Sequence, residues 1–307
     1  MKHLLGIAEL NRTEIEEILR IAETFVQLAQ ESKSKVSALR GKTVINLFFE
    51  DSTRTRVSFE MAGKLLSADV INFGSGGSSL SKGESLRDTV ETISSMGFDA
   101  LVVRHGSAGV PMQMLKWTDA AIINAGDGNH EHPTQALLDC LTLRQALNRR
   151  SFKGVHIAYV GDFTHSRVAH SGIYAFRALG ADITVVAPPT LLPYDMSPWP
   201  VTVTHNLDEV LADVDIIYTV RPKSERITEA LFPSLDEYIT MYGITDERFA
   251  RLDERVLLME AGPLVRGIQM SDDVADHMRN LMNRQVTNGV AVRMAVLTML
   301  LNGELDG

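Results

Sequence analysis

Residues 44–60 read Val44-Ile45-Asn46-Leu47-Phe48-Phe49-Glu50-Asp51-Ser52-Thr53-Arg54-Thr55-Arg56-Val57-Ser58-Phe59-Glu60. The apolar run at 44–49 predicts a buried strand. The polar stretch from 52 predicts the opening turns of a helix, with Ser52 or Thr53 as its cap. A helix N-terminus offers unpaired N–H groups and the positive end of a dipole. Hydroxyls at 52, 53 and 55 and guanidinium groups at 54 and 56 add donors at the same place. Such a site suits a dianion, most simply a phosphate. An ordinary cap with solvent-facing arginines would not need this density of donors.

The strand-then-helix rhythm recurs outward from there. Apolar runs at 69–73, 99–103 and 121–125 alternate with helical stretches, the pattern of a parallel sheet. A helical face at 13–31 (Ile15, Ile18, Leu19, Ala22, Phe25, Leu28) precedes them. After a helix at about 133–148 the rhythm restarts, with strands at 155–160, 183–186, 216–219 and 256–259. The expected fold is α/β, two similar domains, each a mostly parallel sheet flanked by helices. The expected boundaries are 1–132 and 133–287, with a final helix from 288 on.

Composition narrows the function. A chain of 307 residues with 45% apolar residues is long enough for two cores. A net charge of −9 argues against general binding to nucleic acid or anionic membranes, so any arginine site is a local basic pocket on an acidic body. Cys140 is the single cysteine, which excludes an intrachain disulfide and fits a cytoplasmic setting. Neither a signal peptide nor an apolar run of membrane-spanning length is expected. Gly161-Asp162 follows a strand, but no Gly-x-Gly-x-x-Gly or Walker loop is present, so the phosphate is not obviously a nucleotide's.

Further candidates lie where strands end. Arg104 closes the run Ala100-Leu101-Val102-Val103, and carboxyl edges are where α/β sites gather. A surface arginine is the plain alternative there. Pro133 suits a first helical turn and puts His132 at a helix entrance. His130 and His132 could pair on a metal, but no cysteine or third ligand accompanies them, and no metal is expected. Arg167 and Arg221, at strand-to-helix junctions, suit a dicarboxylic acid, one fork per carboxylate, unless each is a surface salt-bridge partner. The loop Ser78-Ser79-Leu80-Ser81-Lys82-Gly83-Glu84-Ser85-Leu86, in isolation, is only polar and flexible.

Taken together, Ser52-Thr53-Arg54-Thr55-Arg56, Arg104 and His132-Pro133-Thr134-Gln135 resemble the aspartate and ornithine carbamoyltransferases along nearly the whole chain. The resemblance implies carbamoyl phosphate held by Ser52, Thr53, Arg54, Thr55, Arg104, His132, Gln135, Gly262 and Pro263. Arg54, Thr55, Arg104 and His132 would be catalytic. His132 and Gln135 would hold the carbonyl and amino ends, which is sound because an amide-like group needs one donor and one acceptor. Lys82, Arg167, Arg221 and Lys223 would bind aspartate. Ser79 and Lys82 would come from a neighbouring subunit, implying shared sites in a homotrimer. The final helix would return to the first domain, and no organic cofactor is called for. In the second half of the chain, neither the Ser-Met-Gly loop nor the His-Cys-Leu-Pro motif of ornithine enzymes occurs.

Two places depart from the pattern. Met259-Glu260-Ala261-Gly262-Pro263 stands where the family usually reads His-Pro-Gly-Pro, there with a cis bond before the second proline, and Arg221-Pro222-Lys223 where it reads Arg-x-Gln. Glu260 and Lys223 carry opposite charges and are expected to offset each other near the acceptor. The expected activity is carbamoyl transfer to the α-amine of aspartate. The rivals are a carbamoyltransferase with another acceptor and a non-catalytic scaffold.

Overall fold

The computed structural model describes residues 1–31, 35–74, 83–222, 231 and 233–302. Ser79, Lys82 and Lys223 lie outside the described residues. Two compact units share the chain: Met1–Leu143 with the segment from Val286 onward, and Arg144–Gln285. The expected boundary fell before Pro133, whereas the units divide at Leu143. The first turns of the helix Pro133–Leu147 bury Ala136, Leu137, Leu138, Cys140 and Leu141.

The first unit holds β1 (Thr43–Phe48), β2 (Asp69–Gly74), β3 (Ala100–His105) and β4 (Ala121–Asp127) in the order β2-β1-β3-β4. Every pair is parallel. β1, β3 and β4 read as near-continuous apolar runs because helices cover both faces of a parallel sheet. β2 differs: it lies at the edge, and its exposure alternates irregularly, with Ile71 51% exposed. The first helix, Arg12–Glu31, is fixed at its start by a reciprocal cap. Glu14 N–H donates to Asn11 Oδ1 at 3.0 Å, and Asn11 N–H donates to Glu14 Oε2 at 2.9 Å.

The second unit holds β5 (His156–Gly161), β6 (Asp182–Val186), β7 (Thr202–Thr204), β8 (Ile216–Val220) and β9 (Leu257–Met259) in the order β7-β6-β5-β8-β9, again all parallel. β7 has no counterpart among the expected strands. It is three residues long, reads Thr-Val-Thr, sits at the edge and is partly exposed, so it leaves no apolar run to read.

The final helix, Met282–Leu300, starts six residues before its expected position. Val290–Leu297 is buried throughout, which is why its sequence is apolar on all sides. Asn288 donates to Thr142 Oγ1 at 2.9 Å and Arg293 to Ser58 Oγ at 2.8 Å, which ties this helix into the first unit. Among the described residues no helix is long and apolar enough to cross a membrane.

Candidate active site

Strand register brings the first unit's candidate residues together. Phe48 of β1 is level with Arg104 of β3, and His105 of β3 with Asp127 of β4, so three neighbouring strands end side by side. From the end of β1 the chain passes Glu50 and enters the helix Thr53–Leu65. Thr55, Ser58, Phe59 and Ala62 are buried, an i, i+3, i+4, i+7 stripe that seats this helix, while Arg54 and Arg56 face solvent. Burying the Phe59 ring alone is worth about 1.5–3 kcal/mol. Ser52 is the N-cap, yet its side chain makes no capping hydrogen bond. By contrast Ser85, Ser166, Ser234, Thr245 and Ser271 all cap their helices through the side chain. The Ser52 hydroxyl is thus not committed to its own helix.

Arg104 stands beside this entrance. Its carbonyl accepts from Phe49 N–H at 2.9 Å, its Nε is 3.7 Å from Glu50 Oε2, and its Nη1 donates to the Ala125 carbonyl at 3.4 Å. The guanidinium is therefore steered by a carboxylate on one side and a strand carbonyl on the other. Glu50 is a contributor that the sequence alone did not single out.

A buried polar turn carries β4 into the helix Pro133–Leu147. Asp127 accepts from Gly109 N–H at 2.7 Å, Asn124 Nδ2 at 2.8 Å and Glu131 N–H at 3.2 Å. Gly128 adopts φ +49, and a Cβ there would lie 2.7 Å from Ala108 N. Glu131, buried, accepts from Ile7 N–H at 2.6 Å. Burial works to raise the Asp127 carboxyl, but the hydrogen bonds from His130, Asn124 and Gly109 outweigh it and hold it below the usual carboxylate range. Its partner His130 is raised, chiefly by that same hydrogen bond. His130 thus serves the turn. His132, buried, opens the helix through its carbonyl, which accepts from Gln135 N–H at 3.0 Å. Among the described residues no three His, Cys, Asp or Glu are grouped as a metal site requires.

One turn on, Gln135 Nε2 donates to Asp139 Oδ1 at 2.9 Å. This bond sets the amide's orientation and leaves Oε1 to accept. Behind Asp139 lies Arg293, fully buried, its guanidinium pushed down to about 10 by burial, with the Asp139 charge opposing the drop. Arg293 donates to Ser58 on the helix Thr53–Leu65 and stacks 5.1 Å from the Phe59 ring. Asp139 and Arg293 were both missed, though each left a signal. Asp139 is four residues beyond Gln135, and Arg293 is a charge inside an apolar helix.

The second unit repeats the device. Gly161 of β5 is level with Val220 of β8, and Tyr218 of β8 with Met259 of β9. Gly161 adopts φ +127, and a Cβ there would lie 2.0 Å from the Val220 carbonyl, so only glycine lets these strand ends close up. Beyond β5, Ser166 caps the helix Arg167–Ala178, and buried Arg167 is its first residue. Arg221 follows β8 directly, and the Gly262–Pro263 peptide, which is cis, follows β9. Arg167, Arg221 and the Gly262–Pro263 loop thus leave the same edge of one sheet.

Glu260 is 4% exposed and accepts from Thr219 Oγ1 at 2.9 Å, from Gly262 N–H at 2.9 Å and from Gln269 Nε2. Its expected counter-charge, Lys223, lies outside the described residues. Thr219, Gly262 and Gln269 all belong to its own unit.

Residues 2–145 match the family described as aspartate/ornithine carbamoyltransferase, carbamoyl-P binding domain, and residues 153–300 match its Asp/Orn binding domain. The chain belongs to the aspartate/ornithine carbamoyltransferase family. The aspartate carbamoyltransferase catalytic subunit of Thermobifida fusca is 50% identical over 305 residues, 99% of this chain and 97% of that one. That of Rhodococcus erythropolis is 51% identical over 314 residues, 100% of this chain and 99% of the other. Among solved carbamoyltransferase structures, aspartate transcarbamoylase from Trypanosoma cruzi with carbamoyl phosphate and aspartate superposes with TM-score 0.88 at 32% identity, covering 98% and 97% of the two chains. Ornithine carbamoyltransferase from Pyrococcus furiosus gives 0.85 at 28% identity, covering 99% and 98%. The fold is common to both branches of the family, so it does not choose the acceptor.

Proposed function

We propose that this chain transfers the carbamoyl group of carbamoyl phosphate to the α-amine of L-aspartate, giving N-carbamoyl-L-aspartate and phosphate in de novo pyrimidine biosynthesis. The observation that carries the reading is the identity of about half of all residues, along 99% of the chain, with an aspartate carbamoyltransferase catalytic subunit. The pair Arg167 and Arg221 supports the acceptor, because two guanidinium forks match the two carboxylates of aspartate.

Carbamoyl phosphate is assigned to the first unit. Ser52, Thr53 and Arg54, with the helix N-terminus, hold the phosphate dianion. Thr55, Arg104 and His132 hold the carbonyl oxygen, and Gln135 Oε1 accepts from the NH₂, aided by the carbonyls at Gly262 and Pro263. Aspartate is assigned to Arg167, Arg221, Lys223 and Lys82. The neutral amine attacks the carbonyl carbon. A C–N bond forms, negative charge gathers on the carbonyl oxygen, and the bond from carbon to the bridging phosphate oxygen breaks. The departing phosphate takes the proton that the amine loses, so no separate protein base is needed. The residues contribute alignment and charges set in place before the reaction.

The reading includes a homotrimer in which Ser79 and Lys82 reach a neighbour's site. β2 ends at Gly74, a few residues before them in sequence, and that strand's edge position, with Ile71 51% exposed, suits a covered surface. The cytoplasm is the assigned compartment, on the single cysteine, Cys140, which is buried. A subunit-mixing assay tests the sharing. A Lys82→Ala chain and an Arg54→Ala chain, each inactive alone, should regain activity in hybrids. Hybrids as dead as their parents would refute shared sites.

A further inference from the structure

The Glu-Ala pair at 260–261 is one of the two places where this chain leaves the family pattern, and its surroundings explain what the glutamate does. Three donors meet its carboxylate. Oε2 accepts from Thr219 Oγ1 at 2.9 Å and from Gln269 Nε2, and Oε1 accepts from Gly262 N–H at 2.9 Å. Glu260 N–H in turn donates to Gln285 Oε1 at 3.2 Å. Thr219 lies two residues before Arg221 on β8, and Gly262 lies two residues after Glu260. One carboxylate therefore joins the strand end that carries Arg221 to the loop that carries Gly262 and Pro263.

A glutamine would not replace it. The Gln269 amide has its orientation fixed, because its Oε1 accepts from Val265 N–H at 2.9 Å while its Nε2 faces Glu260. An amide at 260 would turn its NH₂ toward either Gln269 Nε2 or Gly262 N–H, donor against donor. An ionised carboxylate, which only accepts, satisfies all three. A buried donor left unmet costs more than a hydrogen bond gains.

We propose that Glu260 is a positioning residue for the acceptor half of the site, holding Arg221 and the Gly262–Pro263 loop in register; this rests on the carbamoyl-transfer reading above. Glu260 touches no reacting atom. Its effect passes through the strand end that carries Arg221 to aspartate, and through the loop to the carbamoyl NH₂, and leaves the phosphate held by the first unit untouched.

The test compares wild type, Glu260→Gln and the exchange variant Glu260→Gln/Gln269→Glu, each checked for folding by circular dichroism. The exchange moves the carboxylate to 269 and lets every donor meet an acceptor again. Glu260→Gln should raise KM for aspartate about tenfold, with kcat within about threefold and the affinity for inorganic phosphate, by calorimetry, within about twofold. The exchange variant should return KM to within about twofold of wild type. A general loss of stability would lower the active fraction, and so kcat, without this split. A second readout needs no turnover: hydrogen exchange at the Gly262 amide should quicken about tenfold in Glu260→Gln and slow again in the exchange variant. If Glu260→Gln does not fold, Thr219→Val removes one donor with the shape kept, and KM should rise about threefold. An unchanged aspartate KM in the folded variant, or an exchange variant no better than Glu260→Gln, overturns the proposal. If wild type makes no ureido product from aspartate, the functional reading falls by itself. Gly262 exchange then decides the positioning role, and unchanged exchange overturns it.

Discussion

In the first unit, the groups assigned to carbamoyl phosphate leave the ends of β1, β3 and β4, and in the second, those assigned to aspartate leave β5 and β8, with the Gly262–Pro263 loop, assigned to the carbamoyl NH₂, after β9. The two edges are built alike, but they are braced by different chemistry. Behind the first stands a cation, Arg293, linking Ser58 to the neighbourhood of Asp139 and Gln135. Behind the second stands an anion, Glu260, gathering Thr219, Gln269 and Gly262. Both departures from the family pattern read in the sequence, at 260–261 and at 223, fall in the second unit. The contrast teaches that two edges built alike can be braced by charges of opposite sign.

Changes at the first edge should fall on the chemical step and changes at the second on acceptor affinity. Arg54→Ala should lower turnover by about 10²–10³ with the fold intact, as loss of one preset charged donor does. A variant within about threefold of wild type would remove Arg54 from the phosphate site. Replacing Arg221 by Ala should raise KM for aspartate by about tenfold or more, the loss of one charge-assisted fork, while phosphate affinity holds. Equal losses in both affinities would erase the division of labour between the units.

The braces should answer to denaturation. Arg293→Met removes the buried cation but leaves Asp139 charged, and should destabilise the protein by about 3 kcal/mol in urea unfolding. A neutral outcome would mean that Arg293 contributes shape and not charge. The smallest effect concerns His130. Its pKa is raised by Asp127, so its contribution is full below the ordinary histidine value of about 6.5 and is lost as pH rises through the folded value. Asp127 is lowered, so its contribution is present above the ordinary aspartate value of about 3.9 and is lost as pH falls through the folded one. His130→Gln should therefore lower the melting temperature slightly near pH 5.5, by less than about 1 kcal/mol of stability because the ring is half exposed, and not at pH 9. A deficit that is the same at both pH values would show that charge is not involved.

Much of this was legible in the residues. Among the described residues, eight of the nine strands fall on apolar runs; most do so because parallel strands are buried on both faces, β2 keeps its run at an exposed edge, and the ninth, at 202–204, is too short and too polar to show. Ser52-Thr53-Arg54-Thr55 pointed to a phosphate through donor density alone, but not to which side chains turn inward. Thr55 is buried while Arg54 faces solvent, a matter of helical phase. The partners of Arg104, Gln135 and Glu260 are set by register and by contacts across the fold. Glu50 meets Arg104 because β1 lies beside β3, and Thr219 meets Glu260 across 41 residues of sequence. The donors Thr219 and Gln269 reach Glu260 from elsewhere in the fold, so its neighbours in sequence do not show them.

The measurement closest to the central claim is a carbamoyl-phosphate-dependent ureido assay on the purified chain with a panel of amino acids. L-Aspartate should give N-carbamoyl-L-aspartate and one phosphate per turnover, with kcat/KM at least about 10²-fold above that for ornithine, which lacks the second carboxylate. A higher kcat/KM for any other amino acid, or no ureido product with aspartate, would contradict it.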